Sequence, residues 1–143
     1  SRLFESYRLP YIRKSNLKKL TSPPQYILGD TMGELYEYYG LANLVIMGGS
    51  IKNTGSQNII EPMLLNRPIA VGPSIFNFKN IIEVSQKKDL VFRFSEIDEL
   101  EGIILRLIKD KELENKIKKK TNIFIKENSG ASKKILKLIN QYF

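Results

Sequence analysis

Residues 48–62 read GGSIKNTGSQNIIEP, and their types suit the handling of a sugar or a phosphate. Gly48 and Gly49 end an apolar run, and without side chains they let a ligand approach the backbone. Asn58 stands where a helix start is expected, and Glu61 falls in its first turn. Free N–H groups at a helix start attract an anion. A carboxylate there accepts hydrogen bonds from vicinal sugar hydroxyls. A plainer reading stays open, in which Gly48-Gly49 is a tight turn and Glu61 only satisfies its own helix end.

GDTMGEL (29–35) repeats the logic one strand earlier. A strand ends, a glycine opens the turn, and a helix is expected with Asp30 or Thr31 as its cap and Glu34 in its first turn. The amides of Met32 and Gly33 would then point out of the sheet edge. GPSIFNF (72–78) closes a third strand, with Phe76 and Phe78 as core candidates. Three successive strand ends thus carry unusual loops, at the edge where open parallel sheets bind ligands.

Composition removes several chemistries. There is no cysteine and no histidine, which excludes disulfides, thiolate or imidazole metal sites and histidine-based triads. No apolar run approaches the ~20 residues of a membrane span, and no secretory signal is visible, so a cytoplasmic location is expected. The net charge of +8 is unevenly spread. Residues 1–20 hold six basic groups against one acidic, residues 21–100 six against nine, and residues 101–143 eleven against five. No aromatic–basic interleaving accompanies the excess, so nucleic acid is not the expected partner. A solvated helix face or an anionic membrane surface accounts for it, with Lys116, Lys118, Lys119 and Lys120 as the cluster in question.

These loops need a scaffold of alternating strands and helices. QYIL (25–28), LVIM (44–47), IAVG (69–72) and LVF (90–92) read as short strands, LVIM being apolar on both faces. Helices are expected over 31–40, about 58–66 and 77–88. Beyond them, Ile97, Leu100, Ile104, Leu107 and Ile108 share one helical face, and Leu113, Ile117, Phe124 and Ile125 mark a second helix. Ile135, Leu136, Leu138, Ile139, Tyr142 and Phe143 mark a third. The alternation implies an α/β fold: a Rossmann-like parallel sheet flanked by helices, with a helical C-terminal end. No strand is legible before residue 25.

The combination GDTMGEL…YYGLANLVIMGGS…QN..EP…RPIAVGP..FNF resembles the C-terminal domain of the lipid A 3-deoxy-D-manno-octulosonic acid (Kdo) transferases, densely from Gly29 to Phe78 and collinearly to the end. The resemblance implies the C-terminal domain of a GT-B glycosyltransferase lacking its first strand, with residues 1–143 as part of the donor-binding domain. The implied reaction moves Kdo from CMP-Kdo to a lipid A precursor at the cytoplasmic face of the inner membrane of a Gram-negative bacterium, without metal or cofactor. Carried over residue by residue, Met32, Gly33 and Glu34 match one CMP-contacting stretch, and Asn58, Ile59, Ile60 and Glu61 match another. Gly48, Gly49, Ser50 and Gln57 form the supporting loop. No catalytic residue falls in this chain, because the family's catalytic glutamate lies in an acceptor-binding domain. The lone chain is therefore expected to be inactive. The chain departs from the family at Gln57 and Ser74, where histidine is usual, and at Ile59, where proline is usual. Gln57 donates and accepts hydrogen bonds but cannot become cationic. The alternatives are a related GT-B glycosyltransferase or epimerase using a UDP-sugar, or a non-enzymatic module that binds anions through its basic ends.

Overall fold

The computed structural model describes residues 2–19 and 22–130, and the third helix expected from Ile135 onward lies outside the described residues. The chain divides into two compact units, Ser1–Leu35 and Tyr36–Phe143.

In the first unit, helix α1 (Arg2–Ser6) leads into β1 (Tyr11–Arg13), a 3-10 helix (Lys14–Lys19) and β2 (Tyr26–Leu28). The two strands are parallel, with Ile12 opposite Ile27. β1 lies in the stretch where no strand was legible. Its three residues include a charged arginine and no alternating pattern, so its strand character comes from pairing with β2. The Phe4 ring stacks on Tyr11 at 4.8 Å.

In the second unit, three parallel strands run in the order β3 (Val45–Met47), β4 (Ile69–Val71), β5 (Val91–Arg93). Helix α2 (Leu35–Leu41, its first residue in the first unit) precedes β3, and α3 (Ile60–Leu64) and α4 (Lys79–Lys87) make the crossovers between the parallel strands β3, β4 and β5. Two longer helices, α5 (Ile97–Lys109) and α6 (Lys111–Asn128), complete the unit. The Asp110 carboxylate accepts from the Leu113 amide at 2.9 Å and caps α6.

The sheet is covered on both faces. Val45, Met47, Ile69, Val71 and Val91 pack with residues of α2, α3, α4 and α6, including Tyr39, Ile59, Ile82 and Phe124. On the other face, Ala70 and Phe94 pack with Leu100 of α5. β4 is central and wholly buried, which its continuous apolar run dictates. β3 departs from the expectation of burial on both faces, because Ile46 stays 40% exposed. Among the described residues no helix is long and apolar enough to cross a membrane.

Candidate functional site

The residues singled out in the sequence fall in both units: Met32, Gly33 and Glu34 in the first, and Gly48–Ser50 with Gln57–Glu61 in the second. Each group is described within its own unit.

In the first unit, β2 ends at Leu28 and the chain turns before α2 begins at Leu35. The helix starts later than the sequence suggests, and it runs past Gly40 to Leu41. The expected caps are otherwise engaged. Asp30 accepts from the Ser15 amide at 3.1 Å and the Ser15 hydroxyl at 2.8 Å, tying the ends of β1 and β2 together. These bonds, with Arg13 at 3.5 Å, hold the Asp30 carboxyl below its usual range. The Thr31 hydroxyl donates to Glu34, which therefore precedes the helix instead of sitting in its first turn. Gly33 has φ +83°, a left-handed conformation that glycine adopts without strain. Met32 is 96% exposed.

In the second unit, the chain leaves β3 through a 3-10 turn at Gly48–Ser50 and folds back on itself. Gly49 is held on both sides: its amide donates to Gln57 Oε1 at 3.0 Å, and its carbonyl accepts from the Ser56 amide and the Thr54 hydroxyl. A Cβ at Gly49 would lie 2.7 Å from Gln57 Nε2, so a side chain here would push the Gln57 amide away from its bond to the Gly49 amide. Gln57, where the resemblance places histidine, thus braces the loop with its side-chain carbonyl.

Ser50, expected in the supporting loop, acts there from inside the protein. It is fully buried, donating to the Met47 carbonyl at 2.5 Å and accepting from the Gly72 amide at 2.6 Å. Its own carbonyl accepts from the Ser74 amide at 2.9 Å. Ser50 is a pin between the ends of β3 and β4 and presents no side chain to a ligand. Gly72 packs so tightly on it that a Cβ would meet the Ser50 carbonyl oxygen at 2.8 Å.

The loops after β3 and β4 are laced together further along. The Gly55 amide donates to Ser74 Oγ at 2.9 Å, and Asn77 Nδ2 donates to the Thr54 carbonyl at 3.0 Å. Ser74, noted in the sequence only as standing where histidine is usual, and Asn77, which sequence reasoning passed over, join the two loops. The signal available was the polar GPSIFNF loop at a strand end, but the partners lie 19 and 23 residues away. Of the two phenylalanines there, Phe76 is exposed and Phe78 packs against the core.

Asn58 and Glu61 are brought together as a pair. Asn58 Oδ1 accepts from the Ile60 amide at 3.0 Å, and its Nδ2 donates to Glu61 Oε1 at 3.2 Å. Glu61 therefore does lean back toward its helix start, yet only one of its oxygens has a hydrogen bond to a described residue. Both side chains are half-buried. Tyr39 of α2 lies close enough that the Glu61 charge, after burial itself, raises the phenol's pKa above its usual value. α3 holds only five residues, Ile60–Leu64, against the helix expected over about 58–66, so its macrodipole is small. Ile59 and Ile60 divide: Ile59 is wholly buried in the core, whereas Ile60 is exposed. Ile59 can meet a ligand through backbone alone.

Among the described residues, no three histidine, cysteine or carboxylate side chains are grouped to hold a metal ion. The arrangement is a polar loop edge with one carboxylate, Glu61, whose groups can hydrogen-bond a hydroxylated ligand.

No family model matches the chain. Across nearly its whole length, 141 residues and 98% of the chain, it is 30% identical to a 3-deoxy-D-manno-octulosonic acid transferase of Haemophilus influenzae, covering 33% of that protein. A 54-residue stretch, 38% of the chain, is 48% identical to the transferase of the same name from Bordetella pertussis and covers 13% of it. The chain thus spans about a third or less of the curated relatives it matches. Its fold is that of the crystallised C-terminal CMP-Kdo binding domain of WaaA from Acinetobacter baumannii, with TM-score 0.78 and 29% identity over 85% of this chain and 63% of that one.

Proposed function

We propose that this chain, a homologue of the 3-deoxy-D-manno-octulosonic acid transferases with the fold of their C-terminal CMP-Kdo binding domain, holds the CMP-Kdo donor of a glycosyltransferase that passes Kdo to a lipid A precursor. Residues 1–143 act as part of the donor-binding domain, and the acceptor is met through another part of the enzyme. The observation that carries this reading is the Asn58–Glu61 pair at the strand end that follows Gly48-Gly49, in a fold shared with a CMP-Kdo binding domain. Glu61 accepts hydrogen bonds from the ribose hydroxyls, with Asn58 fixing its carboxylate. Gly48, Gly49 and the backbone of Ile59 and Ile60 let the nucleotide approach, and Gln57 and Ser50 keep that loop in shape. Met32, Gly33 and Glu34 supply the second set of contacts. Glu34 and Glu61 are grips on the donor and not catalytic bases. The enzyme works at the cytoplasmic face of the inner membrane as a peripheral protein.

Titration of the chain with CMP, followed by amide chemical shifts, tests this. Shifts are expected in residues 32–34, 48–50 and 57–61, with UDP-N-acetylglucosamine giving none. Glu61→Gln should weaken CMP binding by about tenfold, the worth of a hydrogen bond to a charged group. Silence in all three stretches, or a preference for the uridine nucleotide, overturns the reading.

A further inference from the structure

The lysines of α6 are not spread evenly around the helix. Ile117, Thr121 and Phe124 are its buried stripe. On one flank, Lys111 and Glu114 line an apolar cavity with Leu107 and Ile108, and Lys118 is bound to Glu114 at 2.6 Å. On the other flank, Lys116, Lys120 and Arg106 of α5 rim a cavity of about 310 Å3, whose floor includes Val91, Leu113 and Ile117. A second hollow of about 620 Å3 shares Arg106, Lys116 and Lys120 with it and adds Lys119 and Ile123, and its four cations outnumber its two carboxylates, Asp110 and Glu112. Lys120 is paired with Asp89 at 2.7 Å. Arg106, Lys116 and Lys119 have no ion pair to another described residue, and Ile123 is 57% exposed beside them.

We infer that this groove between α5 and α6 is the surface by which the protein sits on an anionic bilayer, taking lipid phosphates on Arg106, Lys116 and Lys119 and placing Ile123 among the headgroups. Unpaired cations around an aliphatic floor match an anionic amphiphile on both counts. Charge draws the groove to the negative leaflet, and a neighbouring exposed aliphatic side chain adds apolar burial at the interface. A polynucleotide fits less well, since the groove's exposed apolar group is an isoleucine and not a ring on which bases stack. The inference deepens the peripheral-membrane part of the reading above by naming the surface, and it stands apart from donor binding.

Co-sedimentation of the full chain with vesicles tests it. Vesicles with about 30% phosphatidylglycerol in phosphatidylethanolamine should bind the chain, binding should fall steeply with salt, and phosphatidylcholine vesicles should not bind. Lys116→Gln with Lys119→Gln should lower the partition by about tenfold or more. Lys111→Gln with Lys118→Gln, the same charge change on the other flank, should leave it within about twofold. Ile123→Ser should weaken binding severalfold without altering charge. CMP-induced shifts, recorded for every variant, report folding and donor binding separately from vesicle binding. Equal losses from the two lysine pairs, equal binding to phosphatidylcholine, or displacement of the vesicles by an oligonucleotide overturns the inference.

Discussion

The carboxyl edge of the three-stranded sheet and the α5–α6 groove are built on opposite principles. At the sheet edge almost every polar group is spoken for: Ser50, Gly55, Gln57, Ser74 and Asn77 bond one another or the backbone, and little charge is present. In the groove Lys120 is paired with Asp89, whereas Arg106, Lys116 and Lys119 face solvent with no ion pair to another described residue. A hydrogen-bonded edge has one geometry and tolerates little change, as recognition of a nucleoside requires. A charged flank acts through space and needs only approximate placement, which suits a fluid, anionic surface. Substitutions at the edge should therefore cost fold or geometry, whereas those in the groove should cost little of either.

The largest effect sharpens the edge side of this contrast. Ile59→Ala should destabilise the protein by about 2–5 kcal/mol, the range for emptying a core isoleucine, while Ile60→Ala should cost under about 0.5 kcal/mol. Urea unfolding measures both, and equal costs would break the division of the Asn58–Glu61 stretch into a core side and a ligand side.

Gly72→Ala comes next. Its new Cβ would press on the Ser50 carbonyl at 2.8 Å, a backbone atom held on both sides, so about 1–3 kcal/mol should be lost. Amide shifts should spread to Gly55 and Ser74 if the laced loops move as one body. Shifts confined to residues 71–73 would show the lacing to be loose.

The smallest effect belongs to the groove. Hydrogen bonding and then charge from Lys120 hold the Asp89 carboxyl below its ordinary value of 3.8. A depressed carboxylate stabilises the fold above that value and ceases to do so as pH falls through its folded pKa. Asp89→Asn should therefore be slightly less stable than the parent near pH 7, with the gap closing below pH ~4. Thermal melts at both pH values check this, and a gap that persists in acid would mean that Asp89 acts through something other than its charge.

Legibility followed range. Asn58 bonding Ile60 and Glu61 is local, and helix-start chemistry made it readable. Continuous apolar runs marked β3 and β4, although only β4 is buried on both faces, as such a run implies. β1 was hidden, since three residues with an arginine carry no pattern of their own. The start of α2 was misplaced because Asp30, a good cap by type, is claimed by Ser15 fifteen residues away.

By itself, the sequence determined the class of fold, the order of strands and helices from β2 to α6, the glycine-rich strand ends and the absence of thiol and imidazole chemistry, because each of these rests on neighbours along the chain or on composition. Only the tertiary structure decided that Ser50 is a pin, that Ile59 is core while Ile60 is surface, that Ser74 and Asn77 clasp the loop, and that Lys116 and Lys119 lie on one flank of α6 and Lys118 on the other. These outcomes depend on which distant backbone or side chain completes a hydrogen bond or covers a face. That choice is made by packing across the sheet and is not written in residue type or spacing.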